Sequence, residues 1–511
     1  MTRDDDTPEI TPLAGAIPAR HGIVAVSDLR ARSLTVKEQG GRLISLWGSD
    51  ERATTGGYHL QVALSDSDGL LWLSVPLPSL AYPALEDIFP NAARMQRTLH
   101  DLLGLHPEGA RDLRPWVRHG AWSAHDFPLR KDFVPPCPAG RLEDYPFVAV
   151  TGQGVHEIPV GPVHAGIIEP GHFRFAVVGE RVLRLEERLG YTHKGLEKRA
   201  EGMDLDTLMR LAGRVSGDST VAFSWATAMA AESILALKPP PRALWIRALL
   251  LERERIAQHL GDLGYLCNDA GLAAGFSQFW ILREEWLRTQ QQIFGHRLLM
   301  DQITVGGVEH DLYPDGAVEM TAELGRVELR VRQLDDMLQE HAGVQDRFLS
   351  TGRVKPDMAA RFGMIGLAGR ASAQAWDLRV QFPSVPYDHC DVRMATQSSG
   401  DVAARVRVRF EEIHESVRLL RHFLVRMPHS ALQTHCPPGC KGSGAGWVEG
   451  WRGEVFVALQ LDAGGKVQRW HPVDPSTTNW PLVEQAIMGN IVPDFPLINK
   501  SFNLSYSGQD L

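Results

Sequence analysis

Soft-metal centres draw on thiolate donors, and this sequence offers few. Its five cysteines are Cys137, Cys267, Cys390, Cys436 and Cys440. Only Cys436 and Cys440 are close together, in His435-Cys-Pro-Pro-Gly-Cys. That spacing is not a zinc knuckle, and no second pair exists to complete four ligands. A Pro/Gly turn with two free thiols is the plain reading. An odd, sparse set in so long a chain fits a reducing compartment rather than a disulfide framework. Three other residues can carry chemistry. His172 follows a Pro-Gly pair, and its imidazole titrates in a range useful for proton transfer; the alternative is a hydrogen-bonded structural histidine. Glu197, in Lys194-Gly-Leu-Glu-Lys, could relay protons if partly buried. It could instead pair with Lys198 or Arg199 at a helix start, for about 0.3 kcal/mol. Arg452, in Glu449-Gly-Trp-Arg-Gly-Glu, could hold a ligand carboxylate or carbonyl through its guanidinium, or tie the C-terminal strand to an acid such as Asp474.

The elements that must position these residues follow from pattern. With 511 residues, two or more domains are expected. Basic residues number 53 against 62 acidic, a net charge of −9, which argues against nucleic acid or anionic lipid as a bulk partner. The acidic N-terminus has no apolar signal-peptide core. The most apolar long stretch, 221–237, carries Ser224, Glu232 and Ser233 and is too short and polar to span a bilayer. No G-x-G-x-x-G stands between a strand and a helix, so no nucleotide fingerprint is present.

Residues 22–133 read as mixed α/β, with a half-buried strand at 60–64, a second at 70–75 and an amphipathic helix at 92–103. The Pro135-Pro136-Cys-Pro138-Ala-Gly140 cluster is the best domain boundary. A β-rich stretch follows from 148 to 182. Helical patterns then run over 203–236, 242–268, 276–300, 317–349, 358–376 and 402–426. A strand at 454–461 and a Pro/Asn-punctuated tail with a short helix at 481–488 complete the chain.

Several segments, in order, carry a resemblance. RMQRTLHDLLGL from Arg94, Asp112-Leu-Arg and FPLRKDF from Phe127 resemble the end of the C-type (30 kDa-type) subunit of NADH:quinone oxidoreductase (complex I). Thr98 stands there where a glutamate is usual, and Leu103 where a phenylalanine is. IPVGPVH from Ile158, EPGHFR from Glu169 and RLGYTHKGLEK from Arg188 resemble the start of the D-type subunit and of the formate hydrogenlyase large subunit. LERERIAQHL from Leu251, Gly306-Gly-Val308, Gly369-Arg-Ala-Ser372, Asp377-Leu-Arg379 and Glu449–Glu454 continue the match. The resemblance implies an α+β chain. A disordered lead-in at 1–20 precedes a small α/β domain at 21–135, similar to the C-type subunit. A linker at 136–145 leads to a mainly helical domain with a β-rich opening at 146–511, similar to the D-type subunit and to [NiFe]-hydrogenase large subunits.

In those hydrogenases two Cys-x-x-Cys pairs hold nickel and iron, because soft sulfur stabilises low-valent metal. Here Arg214-Val215 is followed by Ser216, Gly217, Asp218 and Ser219, and Asp474-Pro475 by Ser476, Thr477, Thr478 and Asn479. Both frames are kept and all four thiolates are gone, so no metal is expected. Phe223 takes the place of a histidine that follows the first pair. The resemblance makes His172 the counterpart of a quinone-contacting histidine, whereas Gly217 stands where the partner tyrosine would be. Glu197 matches a proton-carrying glutamate, with Lys194 for the usual arginine, and Arg452 matches a cavity-lining arginine. His164 reads as a loop-fixing residue.

The family further implies an oxidoreductase subunit at the cytoplasmic face of a membrane complex, held there through partners: a small iron–sulfur subunit with a [4Fe–4S] cluster, and antiporter-like membrane subunits. Electrons would reach or leave a small molecule in the cavity. The alternatives are a quinone-reducing D-type component of complex I, a non-catalytic coupling subunit, and an active formate hydrogenlyase-type hydrogenase. Lacking a metal maturation trigger, the tail 494–511 is expected to stay attached.

Overall fold

A computed structural model describes residues 10–54, 56–134, 144–164, 166, 168–437 and 439–511. Cys137 and most of the expected linker at 136–145 lie outside the described residues. The N-terminal domain is built on a five-stranded sheet, ordered Ile10–Leu13, Ala19–Ile23, Gly69–Leu77, Tyr58–Asp66, Arg42–Asp50. Neighbours are antiparallel except Ala19–Ile23 against Gly69–Leu77. The strand Ile10–Leu13 falls within the segment expected as disordered lead-in and Ala19–Ile23 begins at its end, and the two pair antiparallel. The helix Ala92–Leu103 covers one face and ends on Gly104 in the left-handed region, a standard helix stop.

The strand Tyr58–Asp66 is not half-buried as its alternation suggested; only its end residues are partly exposed. Leu60, Val62 and Leu64 belong to one core that continues to Phe173, Trp480 and Phe502 of the large domain, while Ala63, on the opposite face, belongs to the core of the helical body. Gln61 is buried because it is satisfied: it accepts from Trp72 Nε1 at 2.8 Å and Ser74 Oγ at 2.6 Å and donates to Ser49 Oγ at 3.1 Å. The other face of the sheet meets the strands Glu454–Leu461 and Val467–Val473, where Trp47 stacks on His471 with ring centroids 4.6 Å apart.

The large domain opens on the three-stranded sheet Val155–Val160, His172–Val178, Arg181–Arg188. Its body is helical, with Thr220–Ile234, Pro241–Asp269, Ala273–Phe294, Pro314–Glu340 and Val402–Arg426 as the long members. Proline at the first turn of Pro241–Asp269 fits there because that N–H has no helical partner. Thr220–Ile234 lies on the strand Gly442–Glu449 so closely that a Cβ at Gly446 would stand 1.8 Å from Ala226 O.

Three expectations need correction. The helix expected over 203–236 is two helices, Leu205–Ala212 and Thr220–Ile234, parted by an extended Ser216 and a single 3₁₀ turn at Gly217–Ser219. The stretch expected helical over 358–376 is Pro356–Phe362 and Gly366–Ala371, separated at Gly363, which is left-handed. The tail holds more helix than the one expected at 481–488: that helix runs Ser476–Ala486, and Phe495–Phe502 and Tyr506–Asp510 are also helical, Tyr506–Asp510 being buried throughout. Among the described residues no helix is long and apolar enough to cross a membrane.

Candidate functional site

Three segments converge at the lost-ligand positions. The first is the break at Ser216–Ser219. Ser and Asp near a glycine favour such a break, since their side chains compete for backbone hydrogen bonds. The second is the turn joining Gly442–Glu449 to Glu454–Leu461, which presents Trp451 and Arg452. The third is the start of Ser476–Ala486, where Asp474 Oδ1 accepts from Ser476 N at 2.8 Å.

Arg452 is the hub. Its Nη2 donates to Asp218 Oδ2 at 2.5 Å, and its Nη1 to Asp218 Oδ1 at 3.0 Å and Ser219 Oγ at 3.2 Å. Its Nε donates to Asn503 O at 2.6 Å, and its guanidinium lies over the Trp451 ring at 4.0 Å. Trp451 Nε1 in turn donates to Asp218 O at 2.8 Å. Burial acts to raise the Asp218 pKa, but Arg452 and the Ser216 hydroxyl hold it below the usual carboxylate range. The partner of Arg452 is therefore Asp218. Asp474 stays without a direct bond to it, and burial raises its pKa.

Ser216 Oγ donates to Asp218 Oδ1 at 2.5 Å and lies 2.9 Å from Ser505 Oγ. Ser505 N donates to Ser476 Oγ at 2.8 Å, and Trp480 Nε1 donates to Ser505 O at 3.2 Å. Asn479 turns elsewhere: its side-chain amide bonds both ways with the Ile365 backbone, at 3.2 and 3.1 Å. The structure thus brings Ser216, Asp218, Ser219, Ser476 and Arg452 into one network. Asn479 serves as a structural pin, and Gly217 stands at the edge with the Met300 methyl near its α-carbon. Residues 503–505 sit inside the expected hollow and bond directly to its walls.

The tail is fixed at its far end as well. Leu511 O accepts from Lys194 N at 2.9 Å, and Asp510 Oδ2 accepts from Thr192 N at 3.0 Å and Thr192 Oγ1 at 2.8 Å. Lys194 Nζ donates to Val215 O at 3.1 Å, linking this anchor to the Ser216 segment.

Glu197 points inward rather than to Lys198 or Arg199; Lys198 pairs with Glu201 at 3.0 Å. His471 Nδ1 lies 2.6 Å and Arg469 Nη2 2.8 Å from Glu197 Oε1. Burial pushes the Glu197 carboxyl up, but Arg469 and His471 more than cancel it and hold the pKa at about 2. His471 Nε2 meets Ser45 Oγ of the N-terminal domain at 2.8 Å, and burial lowers the imidazole pKa. His172 shares no hydrogen bond with the Arg452 network. Its ring packs on Phe147 at 5.2 Å, with Gly161 O and Arg174 Nε each 3.4 Å from its nitrogens, and burial lowers its pKa. His164 Nδ1 lies 3.3 Å from Pro162 O.

Sequence reasoning missed Ser505, Asn503, Arg469 and His471. Ser505 meets Ser216 across 289 positions, and no local pattern marks such a partner.

These donors do not fit a nickel–iron centre. The hydroxyls and amide are hard, weak ligands for low-valent metal. Ser216 and Ser476 are both bonded to Ser505, Asn479 is bonded to Ile365, and a guanidinium already occupies the position beside Ser219, where it would repel a cation.

Comparison with known proteins matches residues 24–137 to the respiratory-chain NADH dehydrogenase 30 Kd subunit family and residues 269–439 to the 49 Kd subunit family. Formate hydrogenlyase subunit 5 of Escherichia coli K12 is 32% identical over 488 residues, covering 93% of this chain and 85% of that one. The C/D subunit of NADH-quinone oxidoreductase from Phocaeicola vulgatus is 26% identical over 400 residues, covering 74% and 77%. A chain in the structure of the membrane-bound sulfane sulfur reductase, an archaeal respiratory membrane complex, superposes with TM-score 0.67 at 24% identity. It covers 71% of this chain and all of its own length, and it shares the fold.

Proposed function

The chain belongs to the family of complex I-type large subunits that joins the 30 Kd and 49 Kd subunits of respiratory-chain NADH dehydrogenase and includes formate hydrogenlyase subunit 5, and on that premise we propose how it works. It is the large subunit of a membrane-associated oxidoreductase complex at the cytoplasmic face. It abuts a small iron–sulfur subunit, and antiporter-like membrane subunits anchor the assembly. Electrons pass between the partner's [4Fe–4S] cluster and a small molecule at the polar network around Arg452, with no nickel–iron step.

The observation that carries this reading is the Arg452–Asp218 pair. It sits at the junction of the two former ligand segments, in a chain that matches an oxidoreductase large subunit over most of its length. A buried guanidinium beside hydroxyls can hold a carbonyl or carboxylate of a substrate and stabilise charge developing on it. Glu197, His471 and the half-buried His172 are further titratable groups that could trade protons with such a substrate.

The test is to purify the intact complex, reduce its iron–sulfur clusters and ask which acceptor reoxidises them. Oxidation by a small acceptor, sensitive to Arg452→Gln and without nickel by elemental analysis, is expected. Reoxidation by a quinone analogue alone would favour the D-type, quinone-reducing alternative, which Gly217 disfavours by removing a phenol. Stoichiometric nickel would restore the hydrogenase alternative.

One observation favours a second reading. The 2.9 Å contact between Ser216 and Ser505 closes the network on the chain's own tail. If no acceptor oxidises the clusters, the chain is a coupling subunit that transmits conformational change without catalysis of its own.

A further inference from the structure

Behind the Arg452 turn, inside the helical body, lies a closed ring of charges. Arg255 meets Glu252 at 3.2 Å, Glu252 meets Arg379 at 3.0 Å, and Arg379 meets Asp377 at 2.7 Å. Asp377 meets Arg370 at 3.7 Å, Arg370 meets Glu412 at 2.7 Å, and Glu412 returns to Arg255 at 3.6 Å. No side chain of the ring is more than 4% exposed. Three guanidinium groups alternate with three carboxylates, so the ring is neutral in itself. Alternation gives every ion two opposite neighbours, the arrangement in which mutual attraction best offsets desolvation. Tyr387 Oη and Ser416 Oγ donate to Glu252 at 2.7 and 2.6 Å and complete its shell.

Two titratable groups hang on this neutral ring. Glu449 Oε1 accepts from Arg370 Nη1 at 2.8 Å and its Oε2 from Leu378 N at 3.2 Å, but Arg370 is already matched by Glu412 and Asp377. His259 Nε2 lies 2.8 Å from Glu412 Oε2, and its Nδ1 has no partner. An ionised Glu449 with a neutral His259 would leave one uncompensated negative charge in a dry interior, which is strongly unfavourable. A single proton on either group removes it.

We propose that this ring is a proton-holding site, in which one exchangeable proton resides on Glu449 with His259 neutral, or on His259 with Glu449 ionised. The two placements have equal net charge. Exchange between them turns a carboxylic acid into a carboxylate as an imidazole becomes imidazolium, and no electron moves. Glu449 faces Arg370, Asp377, the Glu454 carboxylate on the adjoining strand, and Arg255, which takes its backbone carbonyl at 2.8 Å. His259 faces Glu412, Arg409, Arg255 and the edge of Trp451. Burial first, then Asp377 and Glu454 against Arg370, brings the Glu449 pKa to about 7, while burial lowers that of His259. Glu449 is therefore the favoured seat at neutral pH.

The location gives the proton a lever. Arg255 holds the carbonyls of Glu449 and Gly450 at 2.8 and 3.0 Å, and those residues begin the turn that delivers Arg452. Trp451 packs against both His259, with ring centroids 6.1 Å apart, and the Arg452 guanidinium. Losing the proton places negative charge at the root of the Arg452 turn; moving it to His259 places positive charge against Trp451.

Infrared spectroscopy of the full-length chain in its complex tests this. Other buried glutamates contribute to the same spectral region: Glu254, which accepts from Val221 N at 2.7 Å and which burial raises to about 8, and Glu187 and Glu484 beside Arg94, which burial also raises. Glu254→Gln, with ¹³C-labelled glutamate, should retain a carboxylic-acid carbonyl band that disappears as the pH is raised through about 7. Glu449→Gln should lose that band. Glu254→Gln protein with no labelled acid band that titrates through about 7 would overturn the proposal even if Glu449→Gln failed to fold. So would an acid band that titrates through about 7 and is unchanged by Glu449→Gln in a folded double variant.

Discussion

Ser505 Oγ lies 2.9 Å from Ser216 Oγ, and the Ser505 amide reaches Ser476 Oγ at 2.8 Å. The segments 216–219 and 476–479 are thus joined through the start of the chain's last helix, where Ser505 also caps Gly508 N at 2.8 Å.

The tail is therefore part of the fold. Intact-mass measurement should find the full 511 residues and 56.6 kDa. Ser505→Ala removes a buried hydroxyl that three groups use, and should cost about 1–3 kcal/mol in denaturant unfolding. Deleting residues 504–511 should cost considerably more. A chain found cut short of Leu511, with unchanged stability, would contradict this.

Arg452 and Asp218 should be coupled in stability. Arg452→Gln strands Asp218 beside Asp474 and should cost about 2 kcal/mol. This is below the usual figure for a fully buried pair, because the Asp218 side chain keeps 34% of its exposure and water screens part of the charge. Asp218→Asn added to Arg452→Gln should recover at least half of the loss. A double-mutant cycle with no coupling would show that the pair is not formed.

Glu197 should shape acid stability. Its folded-state pKa of about 2 lies below the ordinary 4.5, so the unfolded chain binds the proton more tightly. The stabilisation is complete above 4.5 and is lost as pH falls from there towards 2, about 3 kcal/mol in all. His471, held below its ordinary 6.5 by burial, acts in the same direction at higher pH. In urea titrations, Glu197→Gln should flatten the slope over that acid window; an unchanged slope would place the acid-labile group elsewhere.

The Arg452 turn should depend on Gly366, which packs against it. Gly366 has φ +65°, and a Cβ there would stand 1.8 Å from Arg452 O. Gly363 has φ +68° but only Arg42 Cδ nearby, at 4.0 Å. Gly363→Ala should cost about 1 kcal/mol, the strain of a left-handed alanine alone. Gly366→Ala should cost at least twice that and displace Arg452, read as a lower unfolding midpoint. Equal effects would show that the close approach is not real.

Local chemistry made much of the architecture legible. The helix 242–268 was readable because apolar Leu249, Ile256 and Leu260 recur at helical spacing. The helix 92–103 and the strand 454–461 were readable for the same kind of reason. The break at Ser216–Ser219 was hidden inside a longer apolar run, since propensity over 203–236 favours helix while the capping chemistry of four residues decides otherwise. The tail looked irregular because its short helices are held by distant partners, from Thr192 to Trp480, rather than by propensity.

The residues of the candidate site divide the same way. By itself, the order of amino acids determined that Ser216, Ser219, Ser476 and Asn479 stand where the resemblance to hydrogenases expects thiolates. It also determined that Arg452 and Glu197 stand in matching motifs, because covalent neighbours and spacing are written in the chain. Only the tertiary structure decided which charges meet: Arg452 with Asp218, Glu197 with Arg469 and His471, and the six-membered ring that leaves Glu449 and His259 to share a proton. Ion pairing and desolvation depend on distance in space between residues hundreds of positions apart, and that distance is fixed only when the helices pack.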